Sequence, residues 1–300
     1  MASSKEVMSW LITGGSGQLA LCLTDSLTRE GQAFTSLSKR ELDISTTDSV
    51  SKIVGQSPRI IVNCAAYTAV DKAESKPDSA QTVNTLGAKN VAIAAKELGV
   101  PLIHISTDYV FSGESSIPWQ INSPTQPRTT YGKTKLSGER EINNIYPEGT
   151  FILRTAWLYS RYGTNFAKSI LRKAITSGDA LKVVNDQIGQ PTLASELADQ
   201  IFYLSKSQAN PGTYHVTNGG EASWYEFARE IFLLSGHDPS RVNPISSSEY
   251  ESVAHRPKYS VLDNSVWDSK GLPRMSDWED ALNRAIPEIR DQVEREAHNG

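Results

Sequence analysis

The segment Thr13-Gly14-Gly15-Ser16-Gly17-Gln18-Leu19-Ala20 constrains the fold most, because it joins an apolar run over residues 8–12 directly to a helical pattern over 19–29. Gly14, Gly17 and Ala20 satisfy one dinucleotide-binding spacing, and Gly15, Gly17 and Ala20 satisfy the other. Small residues at these points allow a tight turn, close approach of the backbone to a pyrophosphate, and close packing of helix on strand. The helix N-terminus then favours the anionic phosphates. A glycine turn by itself also serves as a plain structural turn, so its weight comes from its place between a strand and a helix.

The rest of the first half repeats that alternation. Short apolar runs at 33–37, 59–63, 102–105 and 151–154 read as strands, and amphipathic stretches at 47–54, 78–98 and 136–145 read as helices. Gly31, Gly55 and Gly99 stand where helices would stop. Strand-helix-strand order with right-handed crossovers predicts an α/β, Rossmann-type, doubly wound parallel sheet whose ligand crevice lies at the carboxyl ends of the strands. Beyond about residue 155 the regularity loosens. Helices are expected at 166–176, 194–204 and 223–234, with Ser223 at an N-cap and Glu226 at N3, and strands at 181–184 and 212–216. A final helix over 278–293 is expected to break at Pro287. These patterns divide the chain into a dinucleotide-binding domain, 1–160 with return elements at about 190–218, and a smaller C-terminal α+β substrate-binding lobe made of 161–189 and 219–300.

Composition excludes several classes of function. A net charge of -4 leaves no basic footprint for nucleic acid. No run of about 18 apolar residues is present to span a membrane, and the first residues, Met1 to Glu6, lack the apolar core of a leader, so a cytoplasmic protein is expected. Cys22 and Cys64, both amid apolar residues, fit buried thiols in a reducing compartment better than a disulfide framework.

Three places carry the chemistry. Acidic residues commonly close the second strand of NAD-selective folds, but here the chain reads Ser36-Leu37-Ser38-Lys39-Arg40. Lys39 or Arg40 beside Ser38 would pair with a 2′-phosphate, which favours NADPH and leaves NADH possible. The third strand ends in Asn63-Cys64-Ala65-Ala66-Tyr67, where small residues let the backbone approach a ribose and nicotinamide. The following Thr68 to Glu74 serve either substrate contact or helix capping. The fourth strand ends in Ser106-Thr107-Asp108-Tyr109, which brings hydroxyls to the crevice rim, and Tyr131 with Lys135 follows at a spacing that puts phenol and amine on one helix face. A positive charge beside a phenol lowers its pKa, which makes Tyr131 a usable proton donor to a carbonyl oriented by Thr107.

These residues sit in longer strings: Glu41-Leu42-Asp43-Ile44, Ser106-Thr107-Asp108-Tyr109-Val110-Phe111, Tyr131-Gly132-Lys133-Thr134-Lys135, Arg154-Thr155-Ala156-Trp157, Asn165-Phe166, Asp186-Gln187-Ile188-Gly189-Gln190-Pro191-Thr192 and Arg256-Pro257. Over essentially its whole length the chain resembles the extended short-chain dehydrogenase/reductases and, within them, the dTDP-4-dehydrorhamnose reductase family. The resemblance implies reduction of the C4 ketone of dTDP-4-dehydro-L-rhamnose by NADPH. Tyr131 would give the proton, Lys135 would hold the nicotinamide ribose, and Thr107 would orient the carbonyl. It places Gly17, Gln18 and Leu19 at the pyrophosphate, Asp43 and Ile44 by the adenine, and Ala65, Ala66 and Tyr67 along the ribose and nicotinamide; the reading of the glycine turn and of the second strand end adds Gly14, and Ser38 with Arg40 at the 2′ position, to the cofactor site. Thr107, Asp108, Trp157, Asn165 and Arg256 would meet the dTDP-sugar. Some members of the family dimerise around magnesium held partly by a glutamate of the first helix. That position is Cys22 here, so no metal is expected. A monomer or homodimer is expected, either on its own or fused to or associated with another rhamnose-pathway enzyme. Two other readings remain: a reductase of a different nucleotide-linked 4-keto-6-deoxy sugar, and a non-catalytic NADP-binding subunit like the regulatory subunit of methionine adenosyltransferase.

Overall fold

The computed structural model describes residues 9–298. Met8, the start of the first expected strand, and Met1 to Glu6 lie outside them. Among the described residues, six strands form one parallel sheet: β1 (Ser9–Thr13), β2 (Ala33–Leu37), β3 (Ile60–Asn63), β4 (Leu102–Thr107), β5 (Thr150–Thr155) and β6 (Gly212–His215). Their order in space is β2-β1-β3-β4-β5-β6, so the chain reverses direction across the sheet between β1 and β3. Ligand crevices of such sheets open at that reversal, beyond the carboxyl ends of the strands.

Strand periodicity explains the layering. Trp10 and Ile12 of β1 enter the core shared with helices α1 (Gln18–Arg29) and 194–206, while Leu11 enters the core on the other face. That second face is covered by α2 (Ser49–Gly55), by a long helical stretch ending at residue 98, and by a helix over 130–145. A sheet covered on both faces needs strands apolar on both sides, and β1 and β3 are accordingly buried along nearly their whole lengths. A third core is built from later residues, where Leu171, Phe227, Ile231, Leu282 and Ile289 meet.

Three local expectations change. The single helix expected over 78–98 is three pieces: after α3 (Val70–Ser75) come α4 (Pro77–Gln81), a π-helical segment Thr82–Gly87, and α5 (Ala88–Leu98). The wider turn lets the Asn84 side chain hold both backbone groups of Tyr67, accepting from its N–H at 2.8 Å and donating to its carbonyl at 3.1 Å. Gly55 does not stop its helix, which runs through it to Gln56, whereas Gly99 is a left-handed cap at φ 65°. The last helix, Trp278–His298, continues through Pro287. Proline inside a helix costs about 3 kcal/mol, and here Leu282, Ile286, Ile289 and Val293 bury one face on both sides of it, which offsets that cost. No helix among the described residues is long and apolar enough to cross a membrane.

Candidate active site

The carboxyl ends of β1 and β3 open onto a cleft of about 540 Å³, within the 300–1,000 Å³ usual for small-molecule sites. At its floor, Gly14 has φ +70°, and a Cβ there would lie 2.7 Å from the Ala65 backbone, so both its conformation and its contact require glycine. Gly17 caps α1 without any side-chain hydrogen bond, and the first turn carries no acidic residue. The Gly17 N–H donates to the Gly14 carbonyl at 2.8 Å, no side chain caps the N–H groups that follow it, and Gly17, Gln18 and Leu19 line the cleft. This arrangement fits a pyrophosphate.

Further along, Lys39, Asp43 and Ile44 border the same cleft, and so do Ala65 and Ala66. Lys39 is largely exposed and lies 3.7 Å from Asp43, so its ammonium is free to turn to a phosphate. Ser38 and Arg40 do not line the cleft: the Ser38 hydroxyl and N–H both donate to Glu41, at 2.7 and 2.8 Å, and Arg40 is exposed. Tyr67 also lies off the lining, pinned by Asn84.

The chemistry side comes from β4 and from α6 (Thr130–Ile145), whose start lies six residues earlier than expected. Thr129 caps it by accepting from the Gly132 N–H at 3.0 Å, so Tyr131 and Lys135 stand one turn apart at its N-terminal end. The Tyr131 ring meets the Tyr109 ring edge-on at 5.5 Å. Burial pushes the Tyr131 phenol above its ordinary range, with a hydrogen bond to Thr107 pulling the other way. The expected lowering by Lys135 does not offset this burial; its Nζ donates to the Ile105 carbonyl at 2.5 Å and lies 3.3 Å from His104 Nε2. The Thr107 hydroxyl accepts from the Tyr109 N–H and donates to Asp108, whose buried carboxyl rises to about 6.

Opposite lies an aromatic wall that includes a residue the sequence did not single out. Trp157 follows β5 with φ 45°, in the left-handed region uncommon for a bulky residue, and its indole stacks on Trp224 at 3.4 Å and 7°. Both line the cleft. Trp224 opens helix 224–234 behind the expected capping box of Ser223 and Glu226, which marks the helix start but not the face it presents. The string Asp186 to Thr192 acquires a role here: a Cβ on Gly189 would lie 2.5 Å from the Trp157 ring, and the Thr192 N–H donates to the Trp157 carbonyl at 3.1 Å. Gly189→Ala should therefore shift the indole and raise the KM for a sugar substrate by about tenfold, or about 1.4 kcal/mol, while the Kd for NADPH, measured by fluorescence titration, stays unchanged.

Arg256 borders the cleft but is held at its rim by Asp71 and, at 3.2 Å, by the Tyr109 hydroxyl. Asn165 lies outside the lining. It caps helix 166–176 by accepting from the Lys168 N–H at 3.0 Å, and it donates to Ser160 O at 2.8 Å. Cys22 is buried on α1, and burial pushes its thiol up to about 12.

Comparison with known proteins agrees with this geometry. The model of the RmlD substrate binding domain matches residues 8–291. The chain is 43% identical to dTDP-4-dehydrorhamnose reductase of Streptomyces griseus over 285 residues, covering 93% of each chain. It is 39% identical to dTDP-4-keto-6-deoxy-D-glucose reductase of Streptomyces niveus over 279 residues, covering 93% of this chain and 96% of the other. The crystal structure of dTDP-4-dehydrorhamnose reductase from Bacillus anthracis in complex with NADP superposes with a TM-score of 0.89 at 38% identity, covering 94% of this chain and 99% of that one. A match spanning nearly the full length, on a cleft that joins an uncapped helix start to a tyrosine and lysine one turn apart, makes the chain a member of the RmlD substrate binding domain family.

Proposed function

We propose that the protein reduces the C4 ketone of dTDP-4-dehydro-L-rhamnose to the alcohol of dTDP-L-rhamnose, with NADPH as reductant. The observation that carries this reading is the convergence on one cleft of the α1 N-terminus, the pair Tyr131 and Lys135, Thr107, and the indole wall of Trp157 and Trp224. The names of relatives from Streptomyces griseus and Bacillus anthracis support the substrate and the cofactor.

Gly17, Gln18 and Leu19 would hold the pyrophosphate, Lys39 the 2′-phosphate, and Ala65, Ala66 and Lys135 the nicotinamide ribose. When bound, the nicotinamide supplies hydride to the carbonyl carbon. Tyr131 donates its phenolic proton to the carbonyl oxygen as negative charge develops there, and the burial that holds the phenol protonated keeps that acid loaded. Thr107 orients the oxygen, and the indole wall receives the apolar face of the 6-deoxy ring. Arg256 reaches the substrate diphosphate by exchanging Asp71 for it, an exchange of one anionic partner for another.

The test is to supply purified protein with dTDP-4-keto-6-deoxy-L-mannose and NADPH, then NADH, and follow oxidation of the reduced cofactor. Faster oxidation with NADPH is expected, and none with either cofactor rejects the reading. The D-configured 4-keto sugar is the comparison arm, because the relative from Streptomyces niveus bears that name. Turnover on the D-sugar alone would reassign the substrate within the same chemistry.

A further inference from the structure

His104 lies on β4, three residues before Thr107 and 1% exposed, and the reductase mechanism above gives it no part. Its neighbours determine which ring nitrogen carries hydrogen. Asn63 Oδ1 accepts from the Thr13 hydroxyl at 2.7 Å and from the Ala65 N–H at 3.2 Å. A backbone N–H only donates, so the oxygen of Asn63 must face it and the amide nitrogen must face the other way. That nitrogen lies 3.0 Å from His104 Nδ1 and donates to it. Burial, and then the proximity of Lys135, hold the imidazole well below its ordinary pKa, so the ring is neutral. With Nδ1 accepting, the single ring hydrogen sits on Nε2, which points at Lys135 Nζ 3.3 Å away. An N–H facing an ammonium sets two donors against each other, whereas an N–H facing an amine finds a lone pair. The Ile105 carbonyl accepts from Nζ in either state.

We infer that the chain Thr13, Asn63 and His104 biases Lys135 toward the neutral amine, with His104 Nε2–H donating to the amine's Nζ. Wherever Lys135 stands as that amine, it takes one proton from solvent when it engages the cofactor ribose. The inference rests on the proposed nicotinamide site and deepens it, making His104 and Asn63 positioning residues for Lys135. The remaining groups around Nζ leave this balance in place. Burial lowers Lys135 to about 8, against an upward pull from Glu139 and Cys64. The Glu139 carboxylate is engaged by Arg154 and Ser106, burial pushes the Cys64 thiol up to about 12 so that it is uncharged, and the Tyr131 phenol one turn away stays protonated.

The sign follows from that value. Below about pH 8 Lys135 already carries its proton, and binding takes up little. Above it the amine predominates, and NADPH affinity falls with rising pH by up to about tenfold per unit as binding takes up about one proton. The cofactor's own 2′-phosphate has lost its last proton near pH 6 and does not interfere. The test is calorimetric titration of the full chain with NADPH at pH 7 and pH 9 in buffers of different ionisation enthalpy. Uptake near zero at pH 7 and more than about half a proton at pH 9 is expected. Binding at pH 9 without uptake overturns the inference.

Asn63→Asp tests the relay itself. Two carboxylate oxygens facing Nδ1 would draw the ring hydrogen there, leave Nε2 as an acceptor for an ammonium, and abolish the uptake at pH 9. Unchanged uptake in that variant removes His104 from the account. Should Asn63→Asp fail to fold, carbon-13 NMR of labelled lysine in the wild type titrates Lys135 directly. A midpoint near 8 supports the inference, and one at the ordinary lysine value of about 10.4 overturns it. The NMR midpoint needs neither sugar nor cofactor, so absence of NADPH binding would reject the reductase reading while Lys135 was still tested.

Discussion

Tyr131→Phe is expected to lower kcat by about 10²–10⁴-fold, the range for loss of a positioned proton donor, while the Kd for NADPH stays within about twofold of wild type. The separation arises because the ring keeps its edge-on contact with Tyr109 and loses only the hydroxyl. Stopped-flow oxidation of NADPH with saturating sugar nucleotide measures the first quantity, and fluorescence titration the second. A variant with wild-type turnover would take the proton donor's role from Tyr131. A variant that lost both turnover and cofactor binding would indicate a damaged cleft.

Glu139→Leu should be the most destabilising change beneath the site. Glu139 and Arg154 are 3% and 6% exposed, and the carboxylate accepts from Arg154 Nε at 3.0 Å and Nη2 at 2.7 Å and from the Ser106 hydroxyl at 2.5 Å. Removing the carboxylate leaves a guanidinium buried against Phe111 with, among the described residues, the Ile121 carbonyl at 3.3 Å as its remaining acceptor. Breaking a buried pair from one side costs about 3–5 kcal/mol, whereas replacing both partners with apolar residues is often close to neutral. Urea unfolding should therefore show a loss of that size for Glu139→Leu and a substantial recovery for Glu139→Leu with Arg154→Met. Equal losses in the single and double variants would mean that packing, and not the orphaned charge, sets the cost. Because Glu139 also pulls the Lys135 pKa upward, the single variant should shift the Lys135 titration further down.

What could be read from the chain and what could not follow from the range over which each signal acts. The strands, the glycine turn, the capping box at Ser223 and the placing of Tyr131 and Lys135 one turn apart on a helix are encoded within a few residues, and the structure reproduces them. The late strand at Gly212–His215 joins the main sheet, in line with the expected return elements at about 190–218. Trp224 was missed because its partner Trp157 lies 67 positions earlier and nothing in the Ser223 cap says which way the indole turns. The π-helical segment escaped because its residues, Thr82 to Gly87, have ordinary helical character. The reason for the wider turn lies in distant partners, the Tyr67 backbone and Thr134, which Asn84 and Thr85 secure. Lys135 was expected to acidify Tyr131 from spacing alone. The direction of Nζ is set instead by His104 and Ile105, thirty-odd positions upstream, and Pro287 was overruled by the packing of a face that runs past it.

The position of β6 has a consequence for how the protein is made. Its residues pair with Phe151 to Arg154, yet some sixty residues separate the two strands in the chain. A ribosome will have released the whole glycine turn, Tyr131 and Lys135 well before Gly212 emerges, and until then β5 presents an open edge of unpaired backbone groups. The nascent cofactor half is thus most exposed to wrongful pairing during synthesis of the lobe, and a chain cut near residue 160 would keep that edge permanently. The sheet that carries the cofactor crevice is therefore complete only once the chain has been made past residue 215.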